Sequence, residues 1–434
     1  MTPLLMFVCL FGLIALGVPI AFAMVGTALA FGYMTFGSAI SFQLVEKLTD
    51  VTTNFVFAAI VLFVFMGCML AQARIAERLF AAIHVWTRGV PGGLAVTTIT
   101  MCVVFAATSG IVGATEAVVG LLAVPAMLKR NYSKPLISGV ICAGGSLGTI
   151  IPPSVIVVVL GPIANVSVGA LMTGILFPGL IMAALFLIYV VLIAKLRPQD
   201  APREEEAEPI PFFVKLRETA GALVPPIVLI IIVLGSIVGG VAAPSEAGAV
   251  GAAGTVVLSI MYGTFSFGAL RSAVMQTVRV TAMIMIIILA GSIFTGAFIA
   301  SGGMALATDT IQSLSLGPWG ILLAVLFIAF LLGFVLDWIS IALILLPIFV
   351  PIIKQVGFSP EWFCVLFLVT MQTSYLTPPL APAIFYLRAI AAKSIDTKEM
   401  YAGVLPFIGL QLVTLLLVLL FPEIALWLPR LLHY

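Results

Sequence analysis

Charge is what this sequence has least of. Only 8% of its 434 residues are Asp, Glu, Lys or Arg, it has two histidines, and its formal net charge is +2. A nucleic-acid partner needs a concentrated basic face, which so few scattered cations do not supply. Cysteine is also sparse. Cys9, Cys68, Cys102, Cys142 and Cys364 lie singly in apolar runs, remote from His84 and His433 and without metal-ligand spacing, so they read as packing residues. No GxxxxGK[ST] occurs, which removes ATP as the expected energy source. The first apolar run lacks a basic leader and an A-x-A site, and it reads as retained structure, not a cleaved signal peptide.

What is there is hydrophobic: 63% of residues are apolar and the mean hydropathy is +1.30. A soluble domain cannot hide that much apolar surface. Helices of ~20 apolar residues span a bilayer, and runs of that size recur from Pro3 to about Leu428. The expected fold is all-α and multi-spanning, with about ten to eleven crossings.

The one strongly polar stretch, residues 195–218 (KLRPQDAPREEEAEPIPFFVKLRE), has a linker's proline and charge content and divides the chain into 1–194 and 219–434. The two parts resemble each other. A shift of 226 residues, the separation of Pro125 from Pro351, also carries Ser133 onto Ser359 and Pro152-Pro153 onto Pro378-Pro379 without a gap. Each part then reads as two short apolar segments, a polar turn, and a long apolar segment broken by Pro-Pro. The first has a hairpin over about 93–128 and a broken helix over about 133–161; the second has them over about 319–353 and 360–392.

The first hairpin turns at Thr108-Ser109-Gly110-Ile111-Val112-Gly113 and the second at Gly333 to Ser340. Arms of about 15 residues give ~22 Å of helix, short of the ~30 Å hydrocarbon core, so both pairs read as re-entrant hairpins. The alternative is a pair of full-length helices with an external loop. Arg74, Arg78, Arg88, Lys129, Arg130 and Lys134 flank the first hairpin against Glu77 alone, which puts its mouth in the cytoplasm. Only Asp309, Lys354 and Glu361 flank the second, whose mouth falls on the periplasmic side, making the repeat an inverted one.

A helical proline lacks an N–H and clashes with the carbonyl four residues back. Pro152-Pro153 should release the carbonyls of Gly148 and Thr149, and Pro378-Pro379 those of Ser374 and Tyr375; Ile151 and Thr377, preceding proline, join the unwound stretches. Hard oxygens of this kind suit an alkali cation, with Thr108, Ser109, Gly333 and Asp337 facing them from the hairpin tips, while half-helix N-termini can receive an anion. The bland reading makes each Pro-Pro a packing kink. Among the other intramembrane acids, Glu246 follows Pro244 at a helix start and reads as a cap, whereas Glu116 and Asp337 are candidates to meet a cation or proton.

Four stretches carry a family resemblance: AGGSLGTIIPPSVIVVVLG (143–161), PSEAGAVGA (244–252), LGFVLDWISIALILLPIFVPI (332–352) and TSYLTPPLAPAIFYLRAIA (373–391). In order and spacing they resemble the large membrane subunit of TRAP transporters, the tripartite ATP-independent periplasmic carriers, over essentially the whole chain. That resemblance implies an elevator-type transport domain moving against a scaffold, sodium as coupling ion, and uptake of a small organic anion, a carboxylate, from a periplasmic substrate-binding protein. It further implies a small four-helix membrane subunit as partner and a multi-pass location in a bacterial inner membrane; the length suits a separate large subunit. Carried over by motif, one sodium site comprises Thr108, Ser109, Gly148, Ile151 and Pro153. The other comprises Gly333, Ser374, Thr377 and Leu380, joined by Asp337. Polar residues beside the tips and breaks, Glu116, Thr149, Ser154 and Thr373, are the substrate-facing candidates. Glu116 departs from the serine-rich first tip of many members.

Two other readings compete. One is a stand-alone sodium- or proton-coupled citrate or dicarboxylate symporter. The other is an intramembrane serine protease at Thr108-Ser109-Gly110, which fails because no histidine or lysine lies within a span to activate Ser109.

Overall fold

The structure, a computed structural model, describes residues 2–73, 75–110, 113–203, 211–313 and 316–434, and their side chains except those of Thr108, Ser109, Ala114, Ile311 and Gln312. Every regular element among the described residues is helical. The first half contains α1 (Thr2–Ala15), α2 (Ile20–Phe36), α3 (Ile40–Thr53), α4 (Phe55–Gln72), α5 (Ile75–Thr87), α6 (Gly93–Ser109), α7 (Ala114–Lys129), α8 (Lys134–Ser146), α9 (Val155–Ala164), α10 (Val168–Gly174) and α11 (Leu176–Leu196). The second half contains α12 (Phe212–Val238), α13 (Pro244–Met261), α14 (Phe267–Ala300), α15 (Gly303–Ser313), α16 (Pro318–Leu332), α17 (Trp338–Gln355), α18 (Pro360–Leu376), α19 (Pro382–Ala391), α20 (Thr397–Leu420) and α21 (Glu423–Leu431).

Shifted by the same 226 residues that separate Ser146 from Gln372, the first-half elements fall on second-half elements to within a few residues: α2 on α13, α5 on α15, α6 on α16, α7 on α17, α8 on α18 and α9 on α19. The pair α3 and α4 falls on the single 34-residue α14. Their separation has a local cause, since Asn54 is extended and its side chain accepts from the Val56 amide to start a new helix. Packing repeats too. α2 lies on α14 as α13 lies on α4, and α9 lies on α17 as α19 lies on α7.

The equivalent helices α8 and α18 run in opposite directions. At the start of α20, Glu399 Oε2 lies 3.5 Å from Lys134 Nζ at the start of α8. At its end, the Val418 carbonyl accepts from Trp362 Nε1, near the start of α18, at 2.9 Å. The C-termini of α8 and α18 therefore point toward one another, and they meet where Gln372 Nε2 donates to the Ser146 carbonyl at 2.6 Å. Each contributes ~18–20 Å of helix before that point, which sums to the ~36 Å length of α20. Both chain breaks thus sit at half the depth of the bundle.

Small residues set the closest approaches. A Cβ on Gly139 of α8 would stand 2.2 Å from the Gly403 carbonyl oxygen of α20, and one on Gly251 of α13 would stand 2.7 Å from Met66 Sδ of α4. Glu246 behaves as a cap, its Oε2 accepting from the Ala243 amide at 2.8 Å. Seven segments are long and apolar enough to cross a membrane among the described residues: Ile20–Thr53, Phe55–Gln72, Val168–Leu196, Phe212–Val238, Phe267–Ala300, Trp338–Gln355 and Thr397–Leu420. That is fewer than the ten to eleven expected from apolar runs, because turns and prolines cut several runs into helices of 10–17 residues. The second hairpin's α17 is longer than expected and, at 18 residues, is itself among the seven.

Candidate functional site

Both hairpins turn onto a break of the discontinuous helix that follows. In the first, Gly110 ends α6 with φ +56 and Gly113 begins α7 with φ +80, left-handed conformations that glycine adopts without steric cost. A Cβ on Gly110 would stand 3.1 Å from the Pro153 carbonyl oxygen and 3.3 Å from the Val155 amide nitrogen. In the second, Gly333 has an ordinary φ of −62, so glycine is there for space. A Cβ on it would stand 1.9 Å from Ser374 Oγ and 2.7 Å from Ser374 Cβ. Tip and break are therefore in contact in each half, Gly110 with Pro153 and Gly333 with Ser374.

The breaks are compact turns. α8 tightens into a 3-10 turn over Leu147–Thr149, and the Ile151 amide donates to the Leu147 carbonyl at 2.9 Å. Pro152-Pro153 and Pro378-Pro379 both have cis peptide bonds. Of the carbonyls expected to be released, two have partners: Ser154 Oγ donates to that of Thr149 at 2.9 Å, and the Thr377 amide to that of Ser374 at 3.1 Å. The freeing of these two oxygens is corrected to that extent, because a turning chain brings the next donor within reach. Each carbonyl retains a second lone pair.

Asp337 opens α17. Its Oδ2 accepts from the Ile339 and Ser340 amides at 3.0 and 3.2 Å, and its Oδ1 from Ser340 Oγ at 2.6 Å. It is thus a helix cap as well as a wall of the tip. Thr377 Oγ1 bonds the Thr373 carbonyl at 2.6 Å, the Thr377 carbonyl accepts from the Ala381 amide at 3.2 Å, and Leu380 is half-exposed. The side chains of Thr108 and Ser109, residues 111 and 112 of the tip, Arg74 and linker residues 204–210 lie outside what the structure describes.

A cavity of about 520 Å³ lies between these tips and the helices α2 and α14, lined by Gly110, Val155, Gly333, Asp337, Ser374 and Tyr375 among others. The four substrate-facing candidates do not line it among the described residues. Thr149 borders a separate void of about 30 Å³ with Gln372 and Tyr375. Ser154 and Thr373 are buried with their hydroxyls bonded inward, to the Thr149 and Val369 carbonyls. Glu116 is fully buried in α7, close against Gly145; its Oε1 accepts from Tyr375 Oη at 3.0 Å and its Oε2 has no hydrogen-bond partner among the described residues.

The sequence reading missed the polar centre where the halves meet. Gln372 and Gln411, both buried, donate to the Ser146 carbonyl and hydroxyl, the latter at 3.3 Å. Two glutamines inside otherwise apolar spans were the available signal, since amides in hydrocarbon need partners.

A family description, the DctM component of the tripartite ATP-independent periplasmic transporter, matches residues 7–424. The chain is 29% identical to the C4-dicarboxylate TRAP transporter large permease protein DctM of Pseudomonas aeruginosa, covering 89% of each chain. It is 30% identical to the isethionate TRAP transporter permease protein DctMQ of Oleidesulfovibrio alaskensis, covering 96% of this chain and 65% of that one. With the ectoine TRAP transporter large permease protein TeaC of Halomonas elongata it shares 28% identity over 98% of both. Among solved structures, the fold is similar to the Alcanivorax borkumensis YdaH transporter, with a TM-score of 0.66 at 15% identity over 93% of this chain and 98% of that one. It is also similar to Neisseria gonorrhoeae MtrF, with a TM-score of 0.62 at 13% identity over 90% and 83%. Apolar helices, paired hairpins and a match over nearly the full length converge on one assignment: the chain belongs to the DctM family, the large membrane permease component of TRAP transporters.

Proposed function

We propose that this permease carries out sodium-coupled secondary uptake of a small organic anion, a carboxylate, received from a periplasmic substrate-binding protein. The hairpins and broken helices move together as an elevator against the remaining helices, in a bacterial inner membrane and braced by a small four-helix subunit. The observation that carries this reading is the paired contact of tip and break, Gly110 with Pro153 and Gly333 with Ser374. Opposed directions of α8 and α18 along α20 support the inverted repeat that alternating access uses.

The donor chemistry fits an alkali cation. Backbone carbonyls, the Ser374 and Thr377 hydroxyls and the Asp337 carboxylate are hard oxygens, and no cysteine or histidine is among the described residues lining the cavity beside them. Gly148, Ile151 and Pro153, with the first tip, would hold one cation. Gly333, Asp337, Ser374, Thr377 and Leu380 would hold another. Sodium there supplies positive charge beside the cavity, so an anion can enter without a basic side chain.

The test is uptake into proteoliposomes with a binding protein and small subunit supplied. Sodium should stimulate uptake and choline should not; uptake persisting with sodium absent on both sides would overturn the coupling. A second reading, proton coupling, is favoured by one feature, the buried Glu116, whose Oε2 has no hydrogen-bond partner among the described residues, and in that case a pH gradient alone would drive uptake. A stand-alone symporter would work with no binding protein present.

A further inference from the structure

The 520 Å³ cavity is of a size that holds a small molecule. Its walls come from both repeats: Pro19 to Phe22 at the start of α2, Val280 to Ile287 along α14, the two tips, and the stretches after both breaks. Among the described lining residues no lysine, arginine or histidine occurs, and Asp337 is the one carboxylate. That carboxylate already takes three hydrogen bonds at the start of α17. Apart from Ser374, the remaining described walls are aliphatic or aromatic, with Phe22, Trp338, Tyr375 and Tyr386 the large rings.

The two tyrosines are each held by the first hairpin. Tyr375 gives its hydroxyl to Glu116 Oε1 at 3.0 Å, and the Tyr386 ring lies against Gly113, where a Cβ would stand 2.5 Å from Cζ. With Tyr375's donor spent on Glu116, its ring is what remains for the cavity, and Ser374 and Tyr386 carry the other two hydroxyls among the described lining residues. A sugar acid brings several hydroxyls that would lose water and find too few partners. A dianion brings two charges into a wall holding one fixed negative charge and no fixed positive one. A ligand with an apolar body and a single carboxylate has neither difficulty, since coupled cations at the tips can balance one charge and the rings can cover the body.

We propose that this cavity selects a monocarboxylate with a compact apolar body, branched or aromatic, in preference to dicarboxylates and polyhydroxy acids. Tyr375 and Tyr386 supply the specificity-determining surface, and Glu116 is a positioning residue that holds Tyr375. The proposal rests on the transport reading above and deepens it by naming a substrate class.

The experiment is a thermal-shift titration of the full chain in nanodiscs, with benzoate, 3-methylbutanoate, succinate and gluconate as probes, in sodium chloride and in choline chloride. Ligand bound to the folded state raises the melting temperature in proportion to its saturation. Benzoate and 3-methylbutanoate should stabilise in sodium, with apparent affinity at least ~10-fold above that of succinate or gluconate. Tyr375→Ala should abolish the benzoate shift, and Tyr375→Phe, which keeps the ring but loses the bond to Glu116, should weaken it. Glu116→Gln, which still offers an acceptor to Tyr375, should retain the benzoate preference, while Glu116→Ala should weaken it. If either variant set fails to fold, the wild-type probe ranking decides alone. Succinate or gluconate binding as well as benzoate, or no probe binding at all, would overturn the substrate class. Benzoate binding equally in choline would leave the class standing and instead sink the sodium-coupled reading.

Discussion

Gly333→Ala separates a cation site from mere close packing. Gly333 has helical backbone angles, so alanine introduces no conformational strain. Its methyl group, however, would lie 1.9 Å from Ser374 Oγ and 2.7 Å from Ser374 Cβ, where non-bonded carbons rest about 3.5–4.0 Å apart. Rotating the serine, whose hydroxyl holds only a long 3.4 Å bond to the Met371 carbonyl, removes the first clash and leaves the second. The backbones of tip and break must therefore separate by on the order of 1 Å, an overpacking cost of about 1–3 kcal/mol. If tip and break hold a cation between them, most of that cost falls on the ion-bound state, and at about 1.4 kcal/mol per decade the sodium concentration for half-maximal uptake should rise ~5- to 150-fold. Ser374→Gly in the same chain removes both clashing atoms, and the double variant should recover to within about threefold of wild type if Ser374 serves through its carbonyl. The assay is sodium-dependent uptake in proteoliposomes with melting temperature measured alongside. A sodium curve that superimposes on wild type while the melting temperature falls would refute the site and leave Gly333 a packing residue.

Four further outcomes follow from the same contacts. Asp337→Asn should leave the melting temperature nearly unchanged, because asparagine caps α17 as well as aspartate does, yet it should weaken sodium dependence; equal effects on both would mean a cap alone. Gln372→Leu removes the donor to the Ser146 carbonyl at the meeting point of the halves and should lower stability by about 1–3 kcal/mol, read by thermal denaturation in detergent. Gly409→Ala, with no atom within 4 Å of the added methyl in mid-α20, should be neutral or stabilising by up to about 1 kcal/mol in the same assay. Glu399→Gln breaks the partly exposed pair with Lys134 and should change stability by less than about 1 kcal/mol at moderate salt.

Hydropathy and one repeat shift made most of the architecture legible. Lipid solvent admits little but helix for spans of this kind, so composition settled the class. The Pro-Pro pairs marked both breaks because a proline's missing N–H is a property of the residue itself, and α8, α9, α18 and α19 end or begin around them as expected. Glu246 after Pro244 was equally local, and its cap is in place. The crossing count was less legible, because continuous apolar runs do not show where a turn such as Asn54 divides them.

What the sequence could not determine was partnership across distance. Nothing local to Ser146 says that Gln372, 226 residues away, will reach its carbonyl. Glycine reads as flexibility in a sequence, yet at Gly333 it is the absence of a side chain that matters, and only Ser374 packed against it shows this. Likewise Glu116 looked substrate-facing from its place beside a tip, whereas tertiary packing turns it inward to Tyr375, 259 residues away. Periodicity and proline chemistry act within a few residues of chain and are written in it. Which buried polar atoms share a hydrogen bond, and which walls enclose a cavity, depends on how helices far apart in sequence cross, and that is fixed only when the whole bundle packs.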